Sequence, residues 1–342
     1  MPKITVVITT YNLEPFIGRC LDELLYQTFD DYNILIFDDC STDNTSDILK
    51  SYISLHPERM RAVFLPENLG SPSKTRNTAL DSGKIDGEYV IFLDGDDSIE
   101  PDFLKVLYEL ARENDSEISI CAYDRVEAET ERRLCVEMLG FPVIVDLPSN
   151  DDTLAFINGS LWNKLIKTSV IEDTRIPNFR VGEDLCFLQM LYQKCNRIAF
   201  TERILIHYHT RGNSVISNTQ PEDIYAFASE LIKLHGETSD VKMSATLELL
   251  AFVHIGISMA IRAKDNPAIS MRQHLKWTYG YFADNFGVFK SSRFLKFRAL
   301  RRHKAKGYAL WICLLLYRLH LFWVFIFLYQ AFRKISRRDI KF

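Results

Sequence analysis

The sequence has no C-x-x-C pair, and its seven cysteines (Cys20, Cys40, Cys121, Cys135, Cys186, Cys195 and Cys313) are scattered and odd in number. That pattern argues against a disulfide framework or a zinc ribbon and fits a reducing compartment. No G-x-G-x-x-G follows the first apolar run; T-T-Y-N-L-E stands there instead, which weighs against a dinucleotide-binding oxidoreductase. Internal repeats and low-complexity linkers are also missing. The opening M-P-K-I-T-V-V-I-T-T has one Lys and a short apolar run that polar residues end at once. It reads as a first strand rather than a secretory leader, and predicts a cytosolic setting.

What is there is ample for a core. Of 342 residues, 47% are apolar and 25% charged, enough for two domains or one large domain with an appendage. The formal net charge of −4 hides an asymmetry. Residues 290–342 hold 14 Lys or Arg and one acid, Asp339, for a net +13, so residues 1–289 carry −17. The two parts face different surroundings.

The first hundred residues alternate by type. Ile4–Ile8 is a continuous β-branched run, as a buried parallel strand requires. Helical spacing follows over 14–27, then a strand at Asn33–Phe37, a helix near 45–54, a strand at Ala62–Leu65, a helix over 72–83 and a strand at Tyr89–Leu93. This order predicts an α/β domain with a mostly parallel central sheet. A helix at 101–113, a strand at 117–123, a flap or hairpin within 124–150, and helices at 152–158 and 183–195 come next. The pattern is helical from 221 to 284. Ligands of parallel sheets bind at the carboxyl ends of strands, and T-T-Y-N, D-D-C-S and D-G-D-D all fall there.

D-G-D-D places Asp94, Asp96 and Asp97 in four positions after an apolar strand. Carboxylates that converge repel one another unless a cation neutralises them. Hard oxygen ligands suit Mg²⁺ or Mn²⁺, held by one or two carboxylates together with substrate phosphates. The plain alternative is a solvated acidic turn.

The other strand ends favour the cation. The chain resembles family 2 glycosyltransferases of the GT-A fold through V-V-I-T-T-Y-N (6–12), Q-T-F (27–29), I-F-D-D-C-S-T-D-N-T (36–45), N-L-G-S-P-S-K-T-R-N (68–77), G-E-Y-V-I-F-L-D-G-D-D (87–97), W-N-K-L (162–165) and G-E-D-L-C-F (182–187). Each segment is weak alone, but seven in order are specific. The resemblance implies an inverting transfer from a nucleotide sugar, a UDP-sugar, to a glycan or lipid-linked acceptor in bacterial surface-polysaccharide assembly. It implies that Thr9, Tyr11 and Asp39, with Asp38 nearby, hold the base and ribose. Arg76 lies near the nucleotide, Asp94 contacts the ribose or the metal shell, and Asp96 ligates Mg²⁺ or Mn²⁺. Gly95 lets the backbone pass close to the ligand. Asp97 either ligates as well or caps the next helix. Asp184 is the general base, with Glu183 the alternate. Trp162, Asn163 and Lys164 line the acceptor side. His209 and Arg211 are either polar residues near the diphosphate or two exposed residues on a strand. A site-decayed, membrane-associated scaffold of the same fold is the alternative to an enzyme.

These segments predict a GT-A domain over 1–215, a helical extension over 216–289 and a membrane-associating segment over 290–342. The extension could serve as an acceptor platform, a homo-oligomer interface or a mount for the tail. Residues 308–332 form a 25-residue apolar run with Arg318 and His320 at its middle. That is long enough to span a bilayer. Both flanks are strongly basic, however, which favours a re-entrant or interfacial helix on the cytoplasmic face of the cell membrane. The apolar stretch between the flanks argues against nucleic acid as the partner.

Overall fold

The computed structural model describes residues 1–149, 152–210, 219–265, 269–287 and 292–336. The chain divides into two compact units, Met1–Leu147 with Asn158–Ser214, and Pro148–Ile157 with Val215–Phe342.

The first unit is a ten-stranded sheet with helices. In chain order its elements are β1 (Ile4–Thr10), α1 (Ile17–Leu25), β2 (Tyr32–Asp38), α2 (Thr45–Leu55), β3 (Met60–Phe64), α3 (Pro72–Asp81), β4 (Tyr89–Asp94), β5 (Ser98–Ile99), α4 (Phe103–Glu113), β6 (Ile118–Glu127), β7 (Arg132–Glu137), β8 (Ile144–Asp146), β9 (Lys164–Lys167), α5 (Thr168–Ile171), α6 (Glu183–Tyr192) and β10 (Arg197–Thr210). The sheet order is β3-β2-β1-β4-β9-β6-β10-β5, with β7 beside β6 and β8 beside β10. Strands β3, β2, β1 and β4 run parallel, as the β-branched runs require. The second half is mixed: β9 is antiparallel to both β4 and β6, whereas β6 and β10 are parallel. The 124–150 stretch resolves into a β6–β7 hairpin, with Tyr123 opposite Glu137.

Register decides what the sheet edge presents. Thr10 pairs with Asp38, and Thr9 pairs with both Phe37 and Asp94. The carboxyl ends of β1, β2 and β4 are therefore level, and their polar residues share one rim. Below it the strands are almost wholly buried (Val6, Ile8, Ile36, Val90 and Ile91 at 0–1% exposure). Helix α1 seals one face with Ile17, Cys20, Leu21 and Leu24, and α4 contributes Phe103, Leu104 and Leu107.

The second unit is helical. A 3₁₀ turn at Thr153–Phe156 replaces the helix expected over 152–158. Then follow α7 (Pro221–Glu237), α8 (Val241–Ala251), a π-helical stretch Phe252–Ser258, α9 (Met259–Asp265), α10 (Met271–Phe286), α11 (Phe297–Leu300), α12 (Lys304–Arg318) and α13 (Phe322–Ser336). Gln220 and Asp223 form a capping box on α7, and Asp240 caps α8 by accepting from the N–H groups of Lys242 and Met243. Val241–Arg262 is long and apolar enough to cross a membrane, but it is mostly buried within the protein, as a core helix would be.

The 308–332 run is not one helix. It breaks at 319–321, where His320 takes a positive φ of 58°, leaving two helices of 15 residues. Each rises about 22 Å at 1.5 Å per residue, short of a hydrocarbon core of about 30 Å. A single straight span over this run is therefore excluded. One side of each helix is buried, through Leu310, Cys313, Leu314 and Tyr317 on α12 and Phe322, Ile326 and Tyr329 on α13. Leu319, Leu321, Trp323, Phe327 and Leu328 remain exposed. Part of the basic flank is engaged locally: His303 Nε2 lies 2.8 Å from Asp152 Oδ2, and Arg302 lies 3.5 Å from Oδ1.

Candidate functional site

The first two strand ends are tied into one surface. After β1, Asn12 adopts φ 53° and its side-chain oxygen accepts from Thr42 N and Oγ1. Leu13 N donates to Thr45 Oγ1 and Glu14 N to Asp43 Oδ2. The polar residues of D-D-C-S-T-D-N-T thus hold the neighbouring loop; the helix N-cap, Asn44, makes no side-chain cap bond. Asp38, expected beside the base and ribose, is used up within this knot. Its carboxylate accepts from Thr10 Oγ1 (2.8 Å), Ser41 N (3.1 Å), Ser41 Oγ (2.6 Å) and Ser46 Oγ (2.9 Å) and is 1% exposed. That is a full set for a carboxylate, so Asp38 is a structural pin and not a ligand contact. Asp39 is also buried, and its Oδ1 takes Leu69 N at 2.8 Å. Tyr11 is 48% exposed on this surface. Thr9 is partly exposed on the same rim.

At the end of β4 the three acids separate. Asp94 is one-third exposed and accepts from Arg76 at 2.6 Å. Asp96 is partly exposed, with its backbone carbonyl taken by Arg19 at 2.9 Å. Asp97 turns inward: it is 1% exposed and accepts the backbone N–H of His209 at 3.1 Å. It anchors the turn to β10 and does not cap the next helix, whose N-cap position is Asp102. Gly95 also has an internal cause. A Cβ there would lie 3.0 Å from Leu13 and 3.1 Å from Ile17, so the core crowds a side chain without any appeal to a ligand.

Arg76 joins this rim to α6. Its guanidinium is 6% exposed, and Nη1 donates to both oxygens of Asp184 at 3.0 Å while Nη2 holds Asp94. Burial works against that positive charge, but Asp184 and Asp94 outweigh it and hold the guanidinium's pKa above its ordinary value. Helix α6 starts at a left-handed Gly182 (φ 89°), a conformation that costs an L-residue about 1–2 kcal/mol. This turn puts Glu183 and Asp184 in the first helical turn, where the helix dipole favours acids. Desolvation raises the Asp184 pKa against the pull of Arg76. It also raises Glu183, with help from Asp184, to about 7.

The three residues expected on the acceptor side are interior. Trp162 is 5% exposed and Asn163 and Lys164 are 0% exposed, because β9 is inserted between β4 and β6. Trp162 meets Tyr123 edge-on at 4.6 Å and stacks on Tyr208 at 5.6 Å. Asn163 donates to Cys121 O at 2.8 Å. These residues support the site from behind. His209 is also buried, with Nε2 3.1 Å from Ser98 Oγ. Arg211 lies outside the described residues.

Two residues escaped the sequence reading. Tyr208 is half-buried, and its pKa is raised by burial and then by the charges of Asp97, Asp94 and Asp96. Arg125 sits over the Tyr208 ring, 5.3 Å from its centre. Strand alternation in H-Y-H could have signalled Tyr208: it faces Trp162, whereas His207 and His209 line a cavity of about 370 Å³ with Ser98, Asp124, Glu131 and Arg133.

A level rim of polar strand ends, an acidic turn and a facing acidic helix start belong to a domain of the GT-A fold. Residues 5–158 match Glycosyl transferase family 2. It is 28% identical over 257 residues to the poly(ribitol-phosphate) beta-glucosyltransferase of Bacillus spizizenii, over 73% of this chain and 39% of that one. It thus spans well under half the length of that curated relative. In structure it resembles Staphylococcus aureus TarS 1-349 in complex with UDP-GlcNAc (TM-score 0.71, 22% identity, covering 93% of this chain and 92% of that one). It also resembles the mannosyltransferase PcManGT of Pyrobaculum calidifontis in complex with GDP-Man and Mn²⁺ (TM-score 0.55, 16% identity, 92% and 87%).

Proposed function

We propose that the protein transfers a sugar from a UDP-sugar to a saccharide acceptor, with inversion, in the assembly of a bacterial surface glycopolymer. The carrying observation is the Arg76 bridge, which sets a donor-side carboxylate, Asp94, and a candidate base, Asp184, on one guanidinium. Tyr11, Thr9 and Asp39 form the rim on which the base and ribose rest. Asp184 accepts the acceptor hydroxyl's proton as the new bond forms, and Arg76 stabilises charge gathering on the departing diphosphate. Glu183 is the second candidate base, favoured by a pKa near operating pH.

Asp96 and Asp94 are the residues that would hold Mg²⁺ or Mn²⁺. Among the described residues no cluster of three or more His, Cys, Asp or Glu could hold a metal alone. Two partly exposed carboxylates fit an ion that completes its shell with substrate phosphates. Bound there, the metal supplies charge neutralisation of the diphosphate.

The poly(ribitol-phosphate) acceptor named for the relative supports a polyol or glycan chain as acceptor here. Exposed Trp323, Phe327 and Leu328 on α13, with the basic residues around 293–306, support docking on the cytoplasmic face of an anionic membrane.

Calorimetric titration with UDP, with and without Mn²⁺, tests the donor site, and release of UDP from UDP-GlcNAc tests turnover. UDP binding should need the metal and disappear in Asp96→Ala. Asp184→Asn should still bind UDP, with affinity changed only through Arg76, and lose about 10²–10⁴-fold in turnover. Loss confined to Glu183→Gln would transfer the base role to Glu183. No UDP binding to folded protein would point to a non-catalytic scaffold.

A further inference from the structure

Lys164 is the one residue of W-N-K that carries a charge into the interior, and nothing above uses it. Its side chain is 0% exposed. Nζ donates to Asn158 Oδ1 at 2.6 Å, Ser160 O at 2.7 Å and Asn163 Oδ1 at 2.9 Å. All three partners are neutral oxygens, and among the described residues no carboxylate lies within ion-pair distance. Three acceptors around one nitrogen call for three N–H groups, which the ammonium has and the amine lacks. Burying an unpaired ammonium is costly, so this charge needs a cause.

The loop that Lys164 grips supplies one. Gly159 lies between two of its partners, and a Cβ on Gly159 would come within 3.0 Å of Leu185 Cβ and 3.4 Å of Leu185 Cα. The 158–160 loop therefore lies flush against the residue that follows Asp184. Burial pulls the Lys164 pKa down to about 7 while Asp184 pushes it back up, and Lys164 in turn lowers the pKa of Asp184. The charged groups around Asp184 are Arg76 from α3, Asp94 from β4, Glu183 from α6 and Lys164 from β9. Arg76 is shared with Asp94, so Lys164 is the second cation acting on this carboxylate.

We propose that Lys164 is a positioning residue for Asp184: its ammonium fastens the 158–160 loop against the first turn of α6 and sets a positive charge behind the carboxylate. This assignment rests on the reading of Asp184 as the base. It gives W-N-K a purpose other than acceptor contact, because the Trp supports Tyr208, the Asn holds β6 and the Lys serves the acid.

The test is titration of the Asp184 carboxyl by carbon-13 NMR in protein labelled at aspartate side chains, with Asp184→Asn assigning the resonance. In Lys164→Met the midpoint should rise by about one pH unit, as loss of a nearby opposite charge demands, with UDP binding unchanged. If Lys164→Met does not fold, Lys164→Gln retains donors for two of the three oxygens and carries the same expectation. A folded variant whose Asp184 midpoint stays at the wild-type value would overturn the proposal and leave Lys164 a structural residue. Turnover separates this from the parent reading. If Asp184→Asn still releases UDP from UDP-GlcNAc at the wild-type rate, the base assignment fails, whatever the NMR midpoint shows.

Discussion

Asp38 ends a strand on the rim and Asp184 starts the helix joined to it by Arg76, and the protein treats them in opposite ways. Asp38 is 1% exposed and receives four hydrogen bonds, all from hydroxyl or backbone N–H donors of Thr10, Ser41 and Ser46. Asp184 is about one-fifth exposed, has Arg76 as its bonded partner, and faces Asp94 and Glu183. Neutral donors close around an anion and fix it, so the acid becomes part of the backbone's geometry. A shared guanidinium leaves the anion's proton affinity adjustable by whatever else approaches. Residue type is the same; the environment makes one a fastener and the other a candidate for chemistry.

The comparison breaks most completely at its shared cation. Arg76→Met should leave Asp94 and Asp184 uncompensated, costing about 3–5 kcal/mol of stability by denaturant titration. UDP release from UDP-GlcNAc should fall at least ~10²-fold. Next comes the fastener. Asp38→Ala should cost about 3 kcal/mol, because four donors lose a charged acceptor. Turnover per folded molecule should stay near wild type, and a loss as large as that of Asp184→Asn would refute the contrast. The smallest effect sharpens it through pH. Glu183 is held near 7 when folded, above the ordinary 4.5 of an unfolded glutamate. The folded state thus binds the extra proton, and that contribution is complete below about pH 4.5 and lost as pH rises through about 7. Glu183→Gln should flatten the decline in stability between those values, making the variant more stable than wild type at pH 8 by on the order of 1–3 kcal/mol.

The parallel half of the fold was legible because its information is local. β-branched runs, helical spacing and polar strand ends each lie within a few residues, and the rim follows from their register. Arg76, Asp94 and Asp184 were singled out from motif order, and the structure brings them together although Arg76 and Asp184 are 108 positions apart. Trp162, Asn163 and Lys164 were expected to line the acceptor side, because their burial depends on β9 entering antiparallel between two distant strands, which no local pattern announces. Asp38 and Asp39 could not be told apart, since the turn through Cys40 at φ 59° decides what each meets. The break at 319–321 lies beside Arg318 and His320, the polar interruption visible in the sequence, but composition alone does not say whether such an interruption bends a helix.

The shared guanidinium has a thermodynamic consequence. Arg76 divides its donors between the end of β4 and the start of α6, so a ligand drawing on it at one end changes what remains at the other. On the proposed reading, a diphosphate drawing on Arg76 would shift the proton affinity of Asp184, and by linkage protonating Asp184 would shift nucleotide affinity by the same factor. Donor binding and the readiness of the base are then a single equilibrium, observed from two sides.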